Sequence, residues 1–199
     1  MPDIRVAVVP VGKVSAEEVE AALSRAAKVL RHPIELKANL GVPHGVEDRE
    51  RGQFRASLLI SRLRASFPQL GPGRMIGAEG SEQAPSLSPD AIVFVSDVDL
   101  YTAKSDGAFA ALLPSKGLGV VSLRRLREAF YRRSADPAKQ RARLTKELLR
   151  AICWLRGMPP CSDPHCVLSA STMLADIDIK DEKLCRACAQ RMFKGTVRI

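Results

Sequence analysis

The chain has 199 residues, of which 46% are apolar, and this is enough to bury one core of ordinary domain size. It contains no long apolar run, so the sequence excludes a membrane-spanning helix, and we expect a cytoplasmic protein with reduced cysteines. The formal net charge of +9 favours an acidic partner, whether nucleic acid or protein, although the same charge also serves solubility.

The first part of the chain predicts a strand, a helix and a second strand. An apolar segment at residues 4–9, which Pro10 is expected to end, and an alternating segment at residues 33–38 are typical of strands that lie side by side. Between them, Ser15 and Glu18 form a capping box that begins a helix extending to about Leu30. A right-handed crossover of this kind predicts that the two strands are parallel.

The middle of the chain predicts a second amphipathic helix and a central strand. A loop is expected at residues 41–48 and the helix at residues 51–67, with Phe54 and Leu58 on its buried face. A loop rich in Gly, Ser and Pro follows at residues 71–89. The continuous apolar run at residues 91–95 indicates a strand that is covered on both faces.

Two short strands and the longest helix follow. Residues 109–113 and 117–121 are strand-like, and the glycines of the second segment indicate either the edge of a sheet or a close approach of another backbone. The chain is expected to turn helical at residues 123–133. Pro137 then begins a helix that extends to about Arg156. This order predicts an α/β fold with a mixed, mainly parallel sheet flanked by helices, in a domain of residues 1–157.

Four cysteines near the C-terminal end form two close pairs, Cys161 with Cys166 and Cys185 with Cys188. Two such pairs supply the four thiolates of a structural zinc site. Buried reduced cysteines or two disulfides are the alternatives, and a reducing compartment favours zinc. We therefore predict one structural zinc ion, which closes a small C-terminal subdomain of residues 158–199 that has too few apolar residues to fold alone.

The remaining cysteine and the three histidines give no second site. Cys153 has no adjacent base that would make it a nucleophile, so we interpret it as a small core residue. His165 lies inside the first cysteine loop and is an alternative ligand, but with four thiolates present we expect it to be exposed or hydrogen-bonded locally. His32 and His44 are expected in surface or loop positions.

The long helix and the cysteines together resemble the archaemetzincins, a family of metzincin-type zinc peptidases. That family carries His-Glu-x-x-His-x-x-Gly-x-x-His-Cys, then x4-Cys-x-Met, about seventeen residues and Cys-x-x-Cys. Gly157 and Cys161 fix the register on this chain, and all four cysteines are retained. The resemblance implies a metzincin-like three-layer sandwich with a long active-site-type helix.

In this register the positions that hold or use the catalytic zinc have all changed. The three histidines correspond to Arg150, Trp154 and Pro160, the glutamate corresponds to Ala151, and the methionine corresponds to Leu168. Arginine repels a cation, tryptophan offers only an N–H donor, and alanine cannot act as a base. We therefore predict a pseudo-metallopeptidase with no catalytic residues.

Glu147, Arg150 and Trp154 lie on one face of the long helix. One hypothesis is that Arg150 takes the place of the lost cation, pairing with Glu147 and stacking on Trp154. The alternative is an ordinary solvated face with one amphipathic tryptophan.

Three functions remain open from the sequence. The first is a protein-binding role, with the resemblance implying a peptide along the edge strand at about Gly117 to Val121 and a regulatory role, including in transcription. The second is nucleic-acid binding through a basic cluster. Its members are Arg124, Arg125, Arg127, Arg132, Arg133, Lys139, Arg141 and Arg143. The third is a surviving enzyme, which would require metal ligands outside the altered motif.

Overall fold

The computed structural model describes residues 4–77 and 88–194 of the protein. Their strands are β1 (Val6–Val11), β2 (Ile34–Leu36), β3 (Glu47–Asp48), β4 (Gln53–Arg55), β5 (Arg74–Ile76), β6 (Ala91–Ser96), β7 (Leu100–Thr102), β8 (Ser105–Ala108), β9 (Ala110–Leu113) and β10 (Leu118–Ser122). The α-helices are α1 (Ala16–Leu30), α2 (Ala56–Ser66), α3 (Pro137–Leu155), α4 (Leu174–Ile179) and α5 (Arg186–Lys194).

A six-stranded mixed sheet forms the centre of the fold, in the order β5-β2-β1-β6-β10-β9. The four inner strands are parallel, and the two outer strands, β5 and β9, run antiparallel to their neighbours. The predicted mixed, mainly parallel sheet is therefore confirmed, as is the parallel pairing of the first two strands.

Alternate residues of the inner strands face two apolar layers, as the period of a strand requires. On one face, Val8 and Val93 pack in the layer that contains α1 and α3. On the other face, Val9 and Phe94 pack in the layer that contains α2. This arrangement is the predicted three-layer sandwich, and it confirms that the 91–95 segment is a central strand.

Proline at position 10 lies inside β1, whereas the sequence predicts that it ends the strand. The backbone carbonyl of Pro10 accepts a hydrogen bond from Leu40 N on the side of β2. Strand β2 has already ended at Leu36, so no residue of β2 lies beside position 10 to accept a hydrogen bond from an N–H there. Proline is therefore tolerated at this position. Ser15 caps α1 as expected, but the Glu18 carboxylate accepts from Gln140 of α3.

The structure corrects the predictions for the 41–67 region. A second sheet, ordered β3-β4-β7-β8, takes up residues that the sequence places in a loop and in the first turn of a helix. Phe54 N donates to Asp99 O, so this segment pairs with β7, and the helix begins only at Ala56. Leu58, which was expected on the buried face, is 39% exposed.

Two further predictions change in the structure. The 71–89 loop contains β5, and its residues 78–87 lie outside the described ranges. Residues 123–133 form two short 3₁₀ turns, Arg124–Leu126 and Glu128–Tyr131, rather than one helix. The second turn ends at Arg132, which has a φ of 58° and closes the segment in the left-handed region.

Helix α3 is buried on all sides from Arg143 to Cys153 and ends where the sequence predicts. Gly157 adopts a φ of +83°, and the N–H of Met158 donates to the carbonyl of Cys153, which is the pattern of a Schellman cap. A residue with a side chain would be strained in this position. The motif glycine therefore turns the chain out of α3 and toward the cysteines.

Charged side chains of α3 hold the C-terminal segment against the main sheet layer. Arg143 Nε lies 2.6 Å from Asp178 Oδ1, and Arg143 Nη2 lies 2.7 Å from Glu128 Oε1. Lys146 Nζ lies 3.0 Å from the carbonyl of Ile177 at the end of α4. Apolar residues of the same segment pack in the cluster that contains α1 and α3. The division at residues 157 and 158 stays a prediction.

We predict that Arg143→Met destabilises the protein by about 3–5 kcal/mol, because the change leaves Glu128 and Asp178 without their buried partner. Hydrogen bonds from Arg143 and Lys139 lower the pKa of Glu128 from its usual 4.5 to about 2. The ionised carboxylate therefore stabilises the wild-type fold above pH 4.5, and this contribution is lost as the pH falls toward 2. Thermal unfolding across this range should show a shallower slope for the variant.

Arg133→Met is the matched control, since Arg133 pairs with the same Glu128 through a side chain that is 61% exposed. Its cost should be about 0–1 kcal/mol. Equal destabilisation by the two variants would contradict a special role for the buried arginine.

Candidate metal centre and the altered catalytic site

Four cysteine thiols converge in the C-terminal segment, as the sequence predicts. The sulfur atoms of Cys161, Cys166, Cys185 and Cys188 all lie within 4.8 Å of one another. The Sγ atoms of Cys161 and Cys185 are 3.8 Å apart. Tetrahedral zinc with bonds of about 2.3 Å needs sulfur–sulfur separations of about 3.8 Å, so the cluster can hold one zinc ion.

Backbone hydrogen bonds position the two cysteine pairs. Cys161 N donates to Leu168 O, and Cys166 N donates to Asp163 O, which makes the first pair a compact loop. The N–H of Cys185 points at the Cys166 thiol over 3.4 Å, which joins the two pairs. Cys188 lies in the first turn of α5.

The four thiols have different electrostatic surroundings. Burial raises the pKa of Cys166, while the backbone N–H of Cys188 lowers the pKa of Cys185. An N–H aimed at a sulfur favours the thiolate, which is the form that binds zinc.

The remaining cysteine and the three histidines lie in the kinds of position that the sequence predicts. His165 is exposed, and its backbone N–H donates to Asp163 Oδ1. Cys153 is a buried core residue next to Met192, and burial raises its pKa to about 12. His44 is exposed. His32 lies in the loop between α1 and β2, as predicted, and is buried there at 9% exposure, with Nδ1 lying 2.6 Å from Pro33 O.

The residues that correspond to the peptidase motif lie on the last two turns of α3 and just beyond it. Arg150 and Ala151 are buried, Trp154 is half-buried and Pro160 is exposed. Leu168 is completely buried in the core. No histidine and no carboxylate of the described chain takes part in a metal-ligand cluster, since the four cysteines are the one cluster found among residues 4–77 and 88–194.

Arg150 makes the two contacts that the sequence suggests. Its Nε lies 3.0 Å from Glu147 Oε2, and its Nη2 donates to the same oxygen. Its Cζ lies 5.2 Å from the centroid of the Trp154 ring, within the range of a cation–π interaction. The alternative of an ordinary solvated helix face is wrong, because Arg150 is only 7% exposed and Glu147 is fully buried.

Lys180 is the second cation at Glu147, and the sequence analysis missed it. Its Nζ lies 3.6 Å from Glu147 Oε1 and 2.7 Å from the carbonyl of Ser169. Ser171 Oγ donates to the same Glu147 oxygen over 3.1 Å. Lys180 is thirty-three positions from Glu147 in the chain, and no local pattern joins them. The sequence shows only that Lys180 follows the short helix α4. A lysine in such a position is usually exposed, so nothing in the sequence indicated a buried ion pair.

The cluster of Glu147, Arg150, Lys180 and Ser171 is a closed ionic network, which we call the Glu147 network. Burial disfavours the charge of Glu147, but the two cations and the Ser171 hydroxyl outweigh burial, and the pKa of Glu147 is lowered. Burial also lowers the pKa of Lys180, against the attraction of Glu147. The network therefore keeps an ionised carboxylate in the core.

A model of peptidase family M54 matches residues 88–194, which is more than half of the chain. The chain belongs to peptidase family M54. The archaemetzincin of Methanocaldococcus jannaschii is 25% identical over 191 residues, covering 95% of this chain and 93% of that protein. The archaemetzincin of Pyrococcus furiosus is 31% identical over 112 residues, covering 54% of this chain and 58% of that protein. The resemblance to archaemetzincins is thus confirmed.

Solved structures of this M54 fold superpose on the chain. A zinc-dependent peptidase from Methanocorpusculum labreanum gives a TM-score of 0.78 at 22% identity, over 94% of this chain and 99% of that one. An archaemetzincin from Methanopyrus kandleri gives a TM-score of 0.73 at 21% identity, over 98% and 97%. At these identities the comparison confirms the fold. Within the described residues, no helix is long and apolar enough to cross a membrane.

We predict that Cys188→Ser reduces the zinc-dependent gain in thermal stability, because it removes one corner of the tetrahedron. Unfolding midpoints with and without a chelator should differ by roughly 5 °C or more in the wild type, since 1 kcal/mol corresponds to about 2–4 °C at this size. Cys153→Ser is the control and should keep the full zinc-dependent shift. A Cys188 variant with an unchanged shift would contradict the four-cysteine site.

We also predict that Arg150→Met costs about 3–5 kcal/mol and changes the emission of Trp154, because it leaves Glu147 short of one cation and uncovers the ring. Denaturant unfolding and fluorescence measure the two effects. Arg141→Met removes the same charge from an exposed part of α3 and should change neither. An unaltered emission in the Arg150 variant would show that the stacking contributes nothing.

Proposed function

We propose that this chain is a catalytically inactive member of family M54 that binds one structural zinc ion and acts through a protein partner. The observation that carries the proposal is the Glu147 network, in which Arg150 stands at the position of the first motif histidine and, together with Lys180, pairs with the buried Glu147. A buried guanidinium at this position opposes the binding of a second cation.

The chemistry of the altered positions supports inactivity. Metal-assisted hydrolysis needs ligands that hold the ion with an open position, and a base that takes a proton from the bound water. Arg150 stays protonated, Trp154 has no lone pair for a metal, and Ala151 has no acid–base group. Glu147 is held by two cations and has no accessible surface, so it is a poor substitute for the missing base.

The zinc ion that we propose is structural. Cys161, Cys166, Cys185 and Cys188 would hold it as thiolates, and four thiolates leave no open position for water. When bound, the ion supplies a cross-link between the first cysteine loop and α5. The rest of the C-terminal segment is held by Arg143, Lys146 and the Glu147 network. The zinc cross-link and the contacts with α3 therefore both hold the C-terminal segment in place.

The open edge of the main sheet is the surface that we propose for the partner. The sequence places this edge at residues 117–121, and that prediction is wrong, because β10 lies between β6 and β9. The edge is β9. Ser122 N donates to Phe109 O, and this bond fixes which residues of β9 are hydrogen-bonded to β10. The backbone N–H and C=O groups of residues 109, 111 and 113 face β10. The N–H and C=O groups of Ala110 and Leu112 therefore point outward.

An extended peptide can add a strand to such an edge without any catalysis. A protein that binds a peptide without cleaving it can act as a regulator. We include in the proposal a regulatory role in transcription and a location in the cytoplasm. The charge of +9 favours an acidic partner.

The nucleic-acid alternative gains little from the basic cluster. Two of its eight members are largely buried in ion pairs with carboxylates of the protein, namely Arg125 with Asp99 and Arg143 with Glu128 and Asp178. Charge that is used internally is not available to phosphates. We therefore do not extend the proposal to nucleic acid.

We predict that Ala110→Pro weakens strand addition, because it removes an outward N–H and leaves the ladder to β10 intact. The probe is a library of random 12-residue peptides displayed on phage, from which peptides that bind the zinc-loaded protein are selected. Their affinity should fall at least about tenfold for the variant, as expected when a hydrogen bond of about 1.4 kcal/mol or more is lost.

Ala110→Val is the matched control, since valine adds bulk at the same position and keeps the N–H. It should bind the selected peptides as the wild type does, and all three proteins should share one unfolding midpoint. Hydrolysis of the selected peptides by the wild type, or equal binding by the proline variant, would contradict the proposal.

A further inference from the structure

Cys161 and Cys185 are the two more accessible cysteines of the metal centre. Both are half-buried, whereas Cys166 and Cys188 are only 1% and 4% exposed. The Sγ atoms of Cys161 and Cys185 lie 3.8 Å apart, and the two residues belong to different pairs of the centre. A small reagent in solvent therefore has access to one cysteine from each pair, and these two cysteines are neighbours.

Both residues are nucleophiles when zinc is bound. Zinc takes its cysteine ligands as thiolates, and the thiolate is the form of cysteine that a peroxide oxidises. Cys185 also directly precedes α5, and its carbonyl accepts from Ala189 N–H at the start of that helix. The N-terminus of a helix stabilises a thiolate further. Cys153, which has no accessible surface in the core, has neither advantage.

The sulfur atoms of Cys161 and Cys185 are close enough to form a disulfide after a small movement. A disulfide bond is about 2.05 Å long, so the two sulfurs must approach by roughly 1.8 Å. Neither residue lies inside a helix, since Cys161 lies in the loop beyond α3 and Cys185 lies just before α5. Side-chain rotation and local backbone shifts can therefore supply the movement. The disulfide would join the same two parts of the chain that the zinc ion joins.

The C-terminal segment has other contacts that hold it when the cysteines are oxidised. Lys180 Nζ donates to the carbonyl of Ser169 over 2.7 Å. Arg143 Nε lies 2.6 Å from Asp178 Oδ1, and Ile177 packs in the core that contains α1 and α3. None of these contacts involves a cysteine. The oxidised chain therefore keeps its place beside α3, and oxidation can be reversed.

We propose that Cys161 and Cys185 are a redox pair, which a peroxide converts from two zinc-bound thiolates into a disulfide. The centre then keeps only the thiolates of Cys166 and Cys188, and two ligands do not make a closed tetrahedral site. Oxidation therefore releases the ion. The inference rests on the zinc site of the proposed function and is independent of the protein partner.

The reaction with hydrogen peroxide has two steps. One thiolate attacks a peroxide oxygen, the O–O bond breaks, and a sulfenic acid and a hydroxide ion form. The second thiolate attacks the sulfenic sulfur, the S–O bond breaks, and a second hydroxide ion leaves. The two sulfur atoms lose two electrons in total, and the peroxide gains them. A dithiol reductant reverses the change by thiol–disulfide exchange and is itself oxidised to a disulfide.

The experiment treats the zinc-loaded, full-length protein with an equimolar amount of hydrogen peroxide. Zinc is counted before treatment, the released ion is measured with a chromogenic chelator, and the remaining thiols are counted with a thiol reagent. Mass spectrometry of proteolytic peptides, with fragmentation, identifies the linked cysteines. We expect release of the bound zinc, loss of two of the five thiols and one disulfide between Cys161 and Cys185. A dithiol with added zinc should restore the thiols and the bound ion.

Serine variants of the four ligands are matched controls, since each removes one thiol from the same centre. In the absence of zinc, Cys166→Ser and Cys188→Ser should still form the disulfide, because the half-buried pair is intact. Cys161→Ser and Cys185→Ser should form none. Should a variant misfold, the peptide map of the wild type decides between the possible disulfides by itself. Cys153→Ser should release zinc as the wild type does.

Several outcomes would overturn the redox pair. They are a disulfide within either close pair, a sulfinic or sulfonic acid in place of a disulfide, and a disulfide in both variants of the half-buried pair. Bound zinc that the peroxide does not release would refute this inference alone. Absence of zinc from the untreated protein would refute the proposed zinc site as well, and neither result bears on peptide binding at the β9 edge.

Discussion

A fully buried carboxylate is stable only when cations and hydrogen-bond donors replace the water it has lost, and Glu147 satisfies this constraint with Arg150, Lys180 and Ser171. Two of these partners lie in the segment that follows the first cysteine pair. The network therefore joins α3 to the chain beyond it. Removing one partner would leave charge in the core, which is why the whole C-terminal segment depends on keeping the set together.

Other charged residues of α3 are also buried and also bind groups of the C-terminal segment. Arg143 and Lys146 bind Asp178 and the carbonyl groups at the end of α4. A helix that carries its functional groups inward usually does so for a metal or a ligand, but here the inward charges bind other parts of the protein. In the M54 motif this helix presents zinc ligands. In this chain the same helix is an ionic anchor, and Arg150, which lies at a motif position, pairs with Glu147 as part of it.

Much of the fold follows from local pattern. The central strand at residues 91–95 and the helix from Pro137 have strong apolar periodicity and clear start and stop signals, and both are confirmed. The second sheet was missed because β3, β4 and β7 have two or three residues each, too few to show a period. The edge strand was misplaced because glycine content does not reveal which neighbour a strand has.

The residues of the candidate site were likewise predicted only in part. The four cysteines are found from spacing, since metal ligands come in short, regular motifs. The pair of Glu147 and Arg150 is found because i, i+3 neighbours meet on any helix. Lys180 and Ser171 are not found, because their contact with Glu147 depends on how a distant segment folds back.

The most direct test of this account is the number of zinc ions per chain, measured by mass spectrometry on protein purified without added metal and again after incubation with excess zinc. We predict one zinc in both preparations, lost when Cys161 or Cys188 is replaced and unaffected when Arg150 is replaced by methionine. Two zinc ions per wild-type chain would contradict the account, because a second ion would need ligands that the Arg150 and Glu147 ion pair leaves no room for.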